Sequence, residues 1–191
     1  MNFKVYFLLF LIYSICGFLM EITSVYLRTK KIVNRGFLFG PYCSIYGFCS
    51  IIMIILLSDI KNIFLLFLLF FFICGILEYW MSFLMEKLFK ARWWDYSNRF
   101  FNINGRFCIE NGIYFGVFGM FLVRVVNPFL GPLVTVFNSN ITLYILLIIF
   151  IIDNIISIYL AFKLKKITLF KRDDNTNEII KLREKLLFKK T

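Results

Sequence analysis

Residues 102–116 read NINGRFCIENGIYFG, and residues 34–47 read NRGFLFGPYCSIYG. In a chain otherwise dominated by Phe, Ile and Leu, each stretch breaks into Asn, Arg and Gly and then resumes an apolar run. Both read as polar elbows at the inner face of a membrane, where a duplicated helix pair turns. The composition around them leaves little room for another class: 61% of the 191 residues are hydrophobic, 20% are aromatic, and the mean hydropathy is +0.81. That is far more apolar surface than one soluble core of this length could bury. The formal net charge of +11 comes from Lys and Arg placed between and after the apolar runs. Such placement suits anionic lipid headgroups. No basic motif of nucleic-acid type interleaves them, so no nucleic-acid partner is expected.

A helix needs about 20 apolar residues to cross the hydrocarbon layer. Five segments approach or meet that length: 5–27, 42–58, 63–85, 107–126 and 141–163. The expected fold is therefore an all-α membrane protein with about five transmembrane helices in a domain over residues 1–163. The second span is the shortest, with Pro41 expected in its first turn, where a missing N–H costs nothing; it is either little tilted or partly re-entrant. Residues 1–27 imitate a secretory signal, but the run is long, contains Glu21 and lacks a small-x-small cleavage site, so a retained first span is expected. Nineteen Lys and Arg residues flank the ends that share the two elbows and the C-terminus, against Lys4, Lys61 and Arg124 on the other side. By the positive-inside rule the N-terminus is outside and the C-terminus inside the cytoplasmic membrane. Residues 164–191 read as a basic cytosolic tail. Within it Asn175 to Glu178 resembles a capping box, and Ile179, Leu182 and Leu186 mark a short amphipathic helix resting on the inner leaflet.

A shift of 58 aligns Ile15-Cys16-Gly17 with Ile73-Cys74-Gly75, Leu19 with Leu77 and Ser24 with Ser82. A shift of 69 aligns Gly36 with Gly105 and Gly47 with Gly116. The first four spans thus read as a parallel duplicated helix pair, related by an axis along the membrane normal. Gly17 and Gly75 would let helix backbones approach closely.

Three acids fall inside spans: Glu21, Glu78 and Asp153. Counted from the inner helix ends they lie roughly 9 to 15 Å deep, at about 1.5 Å per residue. A charge there costs at least about 2.5 to 3.5 kcal/mol on insertion scales, so each should face the bundle, water or a counter-charge. One reading makes them a site for a cation, a proton or a cationic substrate. The other pairs Glu21 with Arg35 and Glu78 with Arg106, pinning each elbow to its own helix. Asp153, beside Asn154, points to a polar cavity. The helix starts after the elbows could also hold an anion on free N–H groups, with Arg35 or Arg106 alongside. In the longer connector, Trp93, Trp94 and Tyr96 read as an interfacial anchor; Asp95 among them leaves a substrate-facing or partner-facing loop open.

The five cysteines show no CxxC spacing and His is absent, so zinc and thiol–imidazole catalysis are not expected, and the cysteines read as small packing residues. No GxxxxGK[ST] loop occurs, so any ATPase would be a separate chain. No cofactor, metal or catalytic residue is expected, and the chain reads as non-enzymatic.

YSICGFLMEI (13–22), NRGFLFGPYCSIYGF (34–48), LEYWMSFLMEKLFKARWWDYSNRFFNINGRFCI (77–109) and the glycine-spaced span after them resemble the bacterial ABC-transporter type IV family, also called CmpB-type permeases. The likeness covers about residues 5–130, with departures at Tyr42, Ser44 and Phe115. It implies a multi-span cytoplasmic-membrane protein named as a permease, with no established substrate. On that resemblance the leading expectation is a transport subunit with a polar site near the inner leaflet. Its expected partners are membrane lipids, a second copy, or other transporter subunits including a separate ATPase. The alternatives are a membrane-embedded enzyme acting on a lipid through Glu78, Asp95 and Arg106, and a structural or regulatory membrane protein.

Overall fold

The computed structural model describes residues 3–30, 36–90, 92–136 and 139–168. Arg35 and the expected tail helix lie outside the described residues. Six α-helices carry the architecture: α1 (Phe3–Thr29), α2 (Ser44–Leu57), α3 (Ile63–Phe89), α4 (Ile109–Phe121), α5 (Asn127–Val136) and α6 (Asn140–Thr168). Two short strands, β1 (Asn102–Ile103) and β2 (Phe107–Cys108), form an antiparallel hairpin between α3 and α4.

Among the described residues, four helical stretches are long and apolar enough to cross a membrane: Phe3–Leu27, Ile63–Phe89, Ile109–Val136 and Asn140–Lys163. The expectation of five apolar helical units holds, with one adjustment. The second has only 14 residues, about 21 Å of axis, short of the roughly 30 Å hydrocarbon core. Pro41 does not open it. The helix starts at Ser44 behind an extended Cys43, and Pro41 lies in the bend before it. The fourth unit is longer than the expected 107–126, because α4 runs through a five-residue π turn, Leu122–Val126, straight into α5. Pro128 explains the wide turn: it cannot donate to the carbonyl four residues back, and the Asn127 N–H reaches Leu122 O instead.

α1 packs chiefly on α2, and α3 chiefly on α4. Small residues allow both pairings, as expected in lipid, where close packing replaces the hydrophobic drive between helices. A Cβ on Gly47 would stand 2.6 Å from the Phe10 carbonyl oxygen, and one on Gly17 would enter the Tyr46 ring. On α4, Gly112, Gly116 and Gly119 lie against the rings of Phe71, Phe67 and Phe70 of α3. Leu9, Tyr13, Met53, Leu66, Phe70, Cys74 and Val123 form the central core, with Cys49 packed against it. Cys74 and Cys108 are buried packing residues as expected, while Cys16 is exposed.

The two elbows share one face. Phe37 of the first stacks on Phe89 at 5.6 Å and on Trp93 of the second at 5.3 Å, and Phe89 meets Phe162 of α6 at 5.1 Å. Because α1 and α3 both end at that face, they run in the same direction, as the duplicated pair requires. α6 begins at the opposite end, where Lys4 Nζ donates to Asn140 Oδ1, and runs parallel to α1.

Candidate functional site

The second elbow is not an open loop. Asn104 and Gly105 take φ of 52° and 67°, the positive angles that an Asn-Gly hairpin turn demands, and Arg106 N–H closes the turn on Ile103 O at 2.9 Å. Gly105 is required twice over, since a Cβ there would also stand 2.5 Å from both Asp95 Oδ1 and Ser97 Oγ. Asn102 ties the turn to the preceding segment, donating to Ser97 O and Arg99 O and accepting from Gly105 N–H. The hairpin folds back along α3, where Phe107 packs against Gly75, and it is clamped there by Glu86. That carboxylate takes Arg92 Nε at 2.9 Å and Arg106 Nη2 at 2.7 Å.

This fold-back carries Tyr96 into the bundle. Its hydroxyl donates to Glu78 Oε1 at 3.0 Å, and Asn111 Nδ2 from the first turn of α4 donates to the same oxygen at 3.0 Å. Glu78 is only 6% exposed, and its other oxygen, Oε2, is buried with no hydrogen-bond partner. One turn further along α3, Ser82 is 3% exposed and its Oγ is likewise unpartnered. Glu21 approaches from the other helix pair, accepting from Tyr46 OH of α2 at 3.0 Å. Burial pushes the Tyr96 phenol well up, and the charges of Glu78 and Glu21 push it further, so both carboxylates act on this one hydroxyl. Glu21 follows Gly17 by four residues and Glu78 follows Gly75 by three, so the acids are one position out of register in the repeat. Both spacings return to the same helix face as the glycine.

The expected Glu78–Arg106 pair does not form. Arg106 goes to Glu86 instead and lies over the rings of Tyr79 and Phe83, each 5.6 Å from its guanidinium carbon. Glu86 sits two turns nearer the helix end, level with the clamp that the basic hairpin needs. The pairing of Glu21 with Arg35 falls outside the described residues, and among the described residues no Lys or Arg bonds either glutamate.

Asp153 belongs elsewhere. Its Oδ1 accepts from Phe39 N–H at 2.9 Å and Ser157 Oγ at 3.0 Å, and its Oδ2 from Gly40 N–H at 2.7 Å and Tyr42 OH at 2.5 Å. A carboxylate filled by four donors is a latch on the first elbow, which accounts for its place in an apolar helix without the polar cavity expected for it. Tyr42 supplies one of the four. Gly40 serves by proximity and not by φ: a Cβ there would run into the Tyr42 ring.

Asp95 is bonded within its own connector. Hydrogen bonds from Ser97 Oγ and N–H, at 2.6 and 2.9 Å, hold its carboxyl below the usual range, helped by Arg92 at 3.8 Å. Trp93 packs inward on Phe89, and Trp94 Nε1 donates to Arg106 O. The exposed aromatics of this connector are instead Phe100 and Phe101, at 78% and 68% exposure. At the start of α4, Glu110 lies in the first turn and pairs with Arg99 at 3.3 Å.

The sequence reading grouped Glu21, Glu78 and Asp153 as acids that could meet, whereas Asp153 is bonded to the first elbow; Tyr46, Ser82, Tyr96 and Asn111 were not among its site residues. A polar residue in the first turn of an apolar helix was the available signal for Asn111; nothing local marked Tyr96. Among the described residues, no group of three or more His, Cys, Asp or Glu side chains is arranged to hold a metal.

The sequence profile of the family described as "Putative ABC-transporter type IV" matches residues 8–158, which takes in both helix pairs, both elbows and Asp153. No curated protein matches the chain. No solved structure matches it.

Proposed function

We propose that this chain, which belongs to the "Putative ABC-transporter type IV" family, is a permease-like transport subunit of the cytoplasmic membrane whose solute site lies between its two helix pairs. The observation that carries the reading is the pair of acids Glu21 and Glu78, one from each helix pair. Tyr46 donates to Glu21, Tyr96 and Asn111 donate to Glu78, and both carboxylates lie within electrostatic reach of the Tyr96 hydroxyl; neither is neutralised by a described basic side chain. Carboxylates kept at that depth without a counter-ion mark solute, ion or proton pathways more readily than pins. The fold-back of the second elbow covers Glu78 from the inner face, so movement of that hairpin would open the site. Four long helices and one short one are few for a complete transporter. A second copy or further subunits, including a separate ATPase, would complete it. The nineteen-to-three bias in Lys and Arg supports an inside C-terminus.

An enzymatic reading that groups Glu78 with Asp95 and Arg106 has less support, because Asp95 is bonded to Ser97 and Arg106 to Glu86. The test is purification of the full chain from its native membrane, with mass spectrometry of what comes with it, alongside Glu21→Gln and Glu78→Gln. A transport subunit recovers an ATPase or other transport components, and each variant reaches normal folded levels with lost flux. Loss of folded protein in both variants would favour a structural role, and recovery of a lipid intermediate alone would favour an enzyme.

A further inference from the structure

The interior site is unbalanced in a chemically specific way. Among the described residues, each hydrogen bond that reaches its two carboxylates comes from a neutral donor: Tyr46 OH to Glu21, and Tyr96 OH with Asn111 Nδ2 to Glu78. Donors are thus spent on one oxygen of each acid. What remains unsatisfied is Glu78 Oε2, which can only accept, and the Ser82 hydroxyl, whose lone pairs and O–H are both unused; both atoms are buried and without a partner. Glu78 and Ser82 stand four residues apart on α3, hence on one face. An unpaired buried acceptor costs about 1–3 kcal/mol, and more when charged, so an occupant of this space gains most by bringing N–H or O–H donors and positive charge.

That requirement sorts the candidates. An anion would meet two carboxylates. A divalent cation needs six or more oxygens, or a hydrated octahedral shell, and the described residues offer no cluster of three metal-binding side chains. A quaternary ammonium carries charge but no donor for Glu78 Oε2 or Ser82 Oγ. A protonated primary amine or a guanidinium group supplies both.

We propose that the Glu21–Glu78 site binds a small organic cation through N–H donors, with Glu78 Oε2 and Ser82 Oγ as direct contacts and Glu21 as the second charge. The proposal rests on the transport reading for the role of the site, though not for the binding itself. The probe is methylammonium, offered to the purified full-length chain in detergent micelles, with sodium and tetramethylammonium at equal ionic strength as controls. Binding is read as saturable uptake of labelled methylammonium and as a rise in thermal midpoint, which follows from RT ln(1 + [L]/Kd).

Saturable binding that sodium and tetramethylammonium do not displace is expected, with Kd weakened at least tenfold in Glu78→Gln and several-fold in Ser82→Ala. Gln at position 78 keeps an oxygen for Tyr96 and Asn111, which favours folding. Ser82→Ala provides the independent check should it not fold. Glu110→Gln, on the far side of the Arg99 ion pair, should bind like the wild type. The inference is overturned by absence of saturable methylammonium binding, by equal displacement with sodium, or by unchanged Kd in both Glu78→Gln and Ser82→Ala. Binding without any flux in reconstituted vesicles would remove the transport reading alone; flux of some solute with no methylammonium site would remove this one alone.

Discussion

Replacing Asp153 by Asn tests the latch on the first elbow. The wild-type carboxylate receives Phe39 N–H and Ser157 Oγ on one oxygen, and Gly40 N–H and Tyr42 OH on the other. An Asn side chain has one acceptor oxygen and one NH2. Its better orientation keeps Gly40 and Tyr42 and turns the NH2 toward Phe39 N–H, since Ser157 can rotate its hydroxyl to accept. The part-buried Phe39 N–H then loses its bond to this carboxylate, costing about 1–3 kcal/mol. The two surviving bonds lose the assistance of charge, which roughly doubles such bonds, for about another 1 kcal/mol in all. The elbow should therefore be destabilised by about 2–4 kcal/mol, a rise of about 30- to 1,000-fold in its local opening constant at 1.36 kcal/mol per decade. Cys43, next to the latch and hydrogen-bonded through its N–H to Ser14 O at 2.9 Å, reports the opening. Its rate of maleimide labelling, followed by mass spectrometry, should rise by that factor. Tyr42→Phe should give a smaller rise, and the double variant should show non-additivity of about 1 kcal/mol, as for residues sharing one network. A Cys43 labelling rate in Asp153→Asn within twofold of wild type would mean that the four bonds do not hold the elbow.

Two further outcomes concern helix packing and the hairpin. Gly47→Ala pushes a Cβ to 2.6 Å from the Phe10 carbonyl oxygen, a backbone atom that cannot swing aside, so the α1–α2 pairing should lose several kcal/mol, as overpacked sites do. Gly131→Ala, whose Cβ would meet nothing nearer than Asn127 Oδ1 at 4.0 Å, should be neutral or stabilising by up to about 1 kcal/mol; the yield of monodisperse protein and its unfolding midpoint compare the two, and equal behaviour would contradict the packing described. The Asp95 carboxyl, held below its usual range by Ser97 and Arg92, contributes stability to the hairpin that is present above its unfolded value of about 3.9 and lost as pH falls through its lower folded value. Protection of the 92–108 segment from acid-tolerant proteases should thus stay level from neutral pH to about 5 and fall only below about 4, and Asp95→Asn should make that acid step smaller, the remainder belonging to the Glu86 clamp on Arg92 and Arg106.

The membrane class, the number of apolar helical units, the two elbows and the glycine-marked pairing of α1 with α2 and α3 with α4 were legible in the chain. They depend on hydrophobicity summed over a helix length and on residue types that act within a few positions. The boundaries were less legible. Pro41 and Pro128 each have two local meanings, and only the carbonyls around them show that one precedes a helix while the other widens a helical turn. Asn104-Gly105 announced a reversal, but not that the reversal would lie against α3.

Sequence alone determined that Glu21 and Glu78 must avoid lipid, because a bare carboxylate in hydrocarbon is costly wherever the chain puts it. Only the tertiary structure decided how each acid does so. Asp153 is filled by an elbow more than a hundred residues earlier, Arg106 is drawn to Glu86, and Glu78 receives a tyrosine from a connector whose composition looked interfacial. Hydrogen bonds reach about 3 Å and require alignment, so partners distant in sequence become readable only once the backbone has brought them within that range.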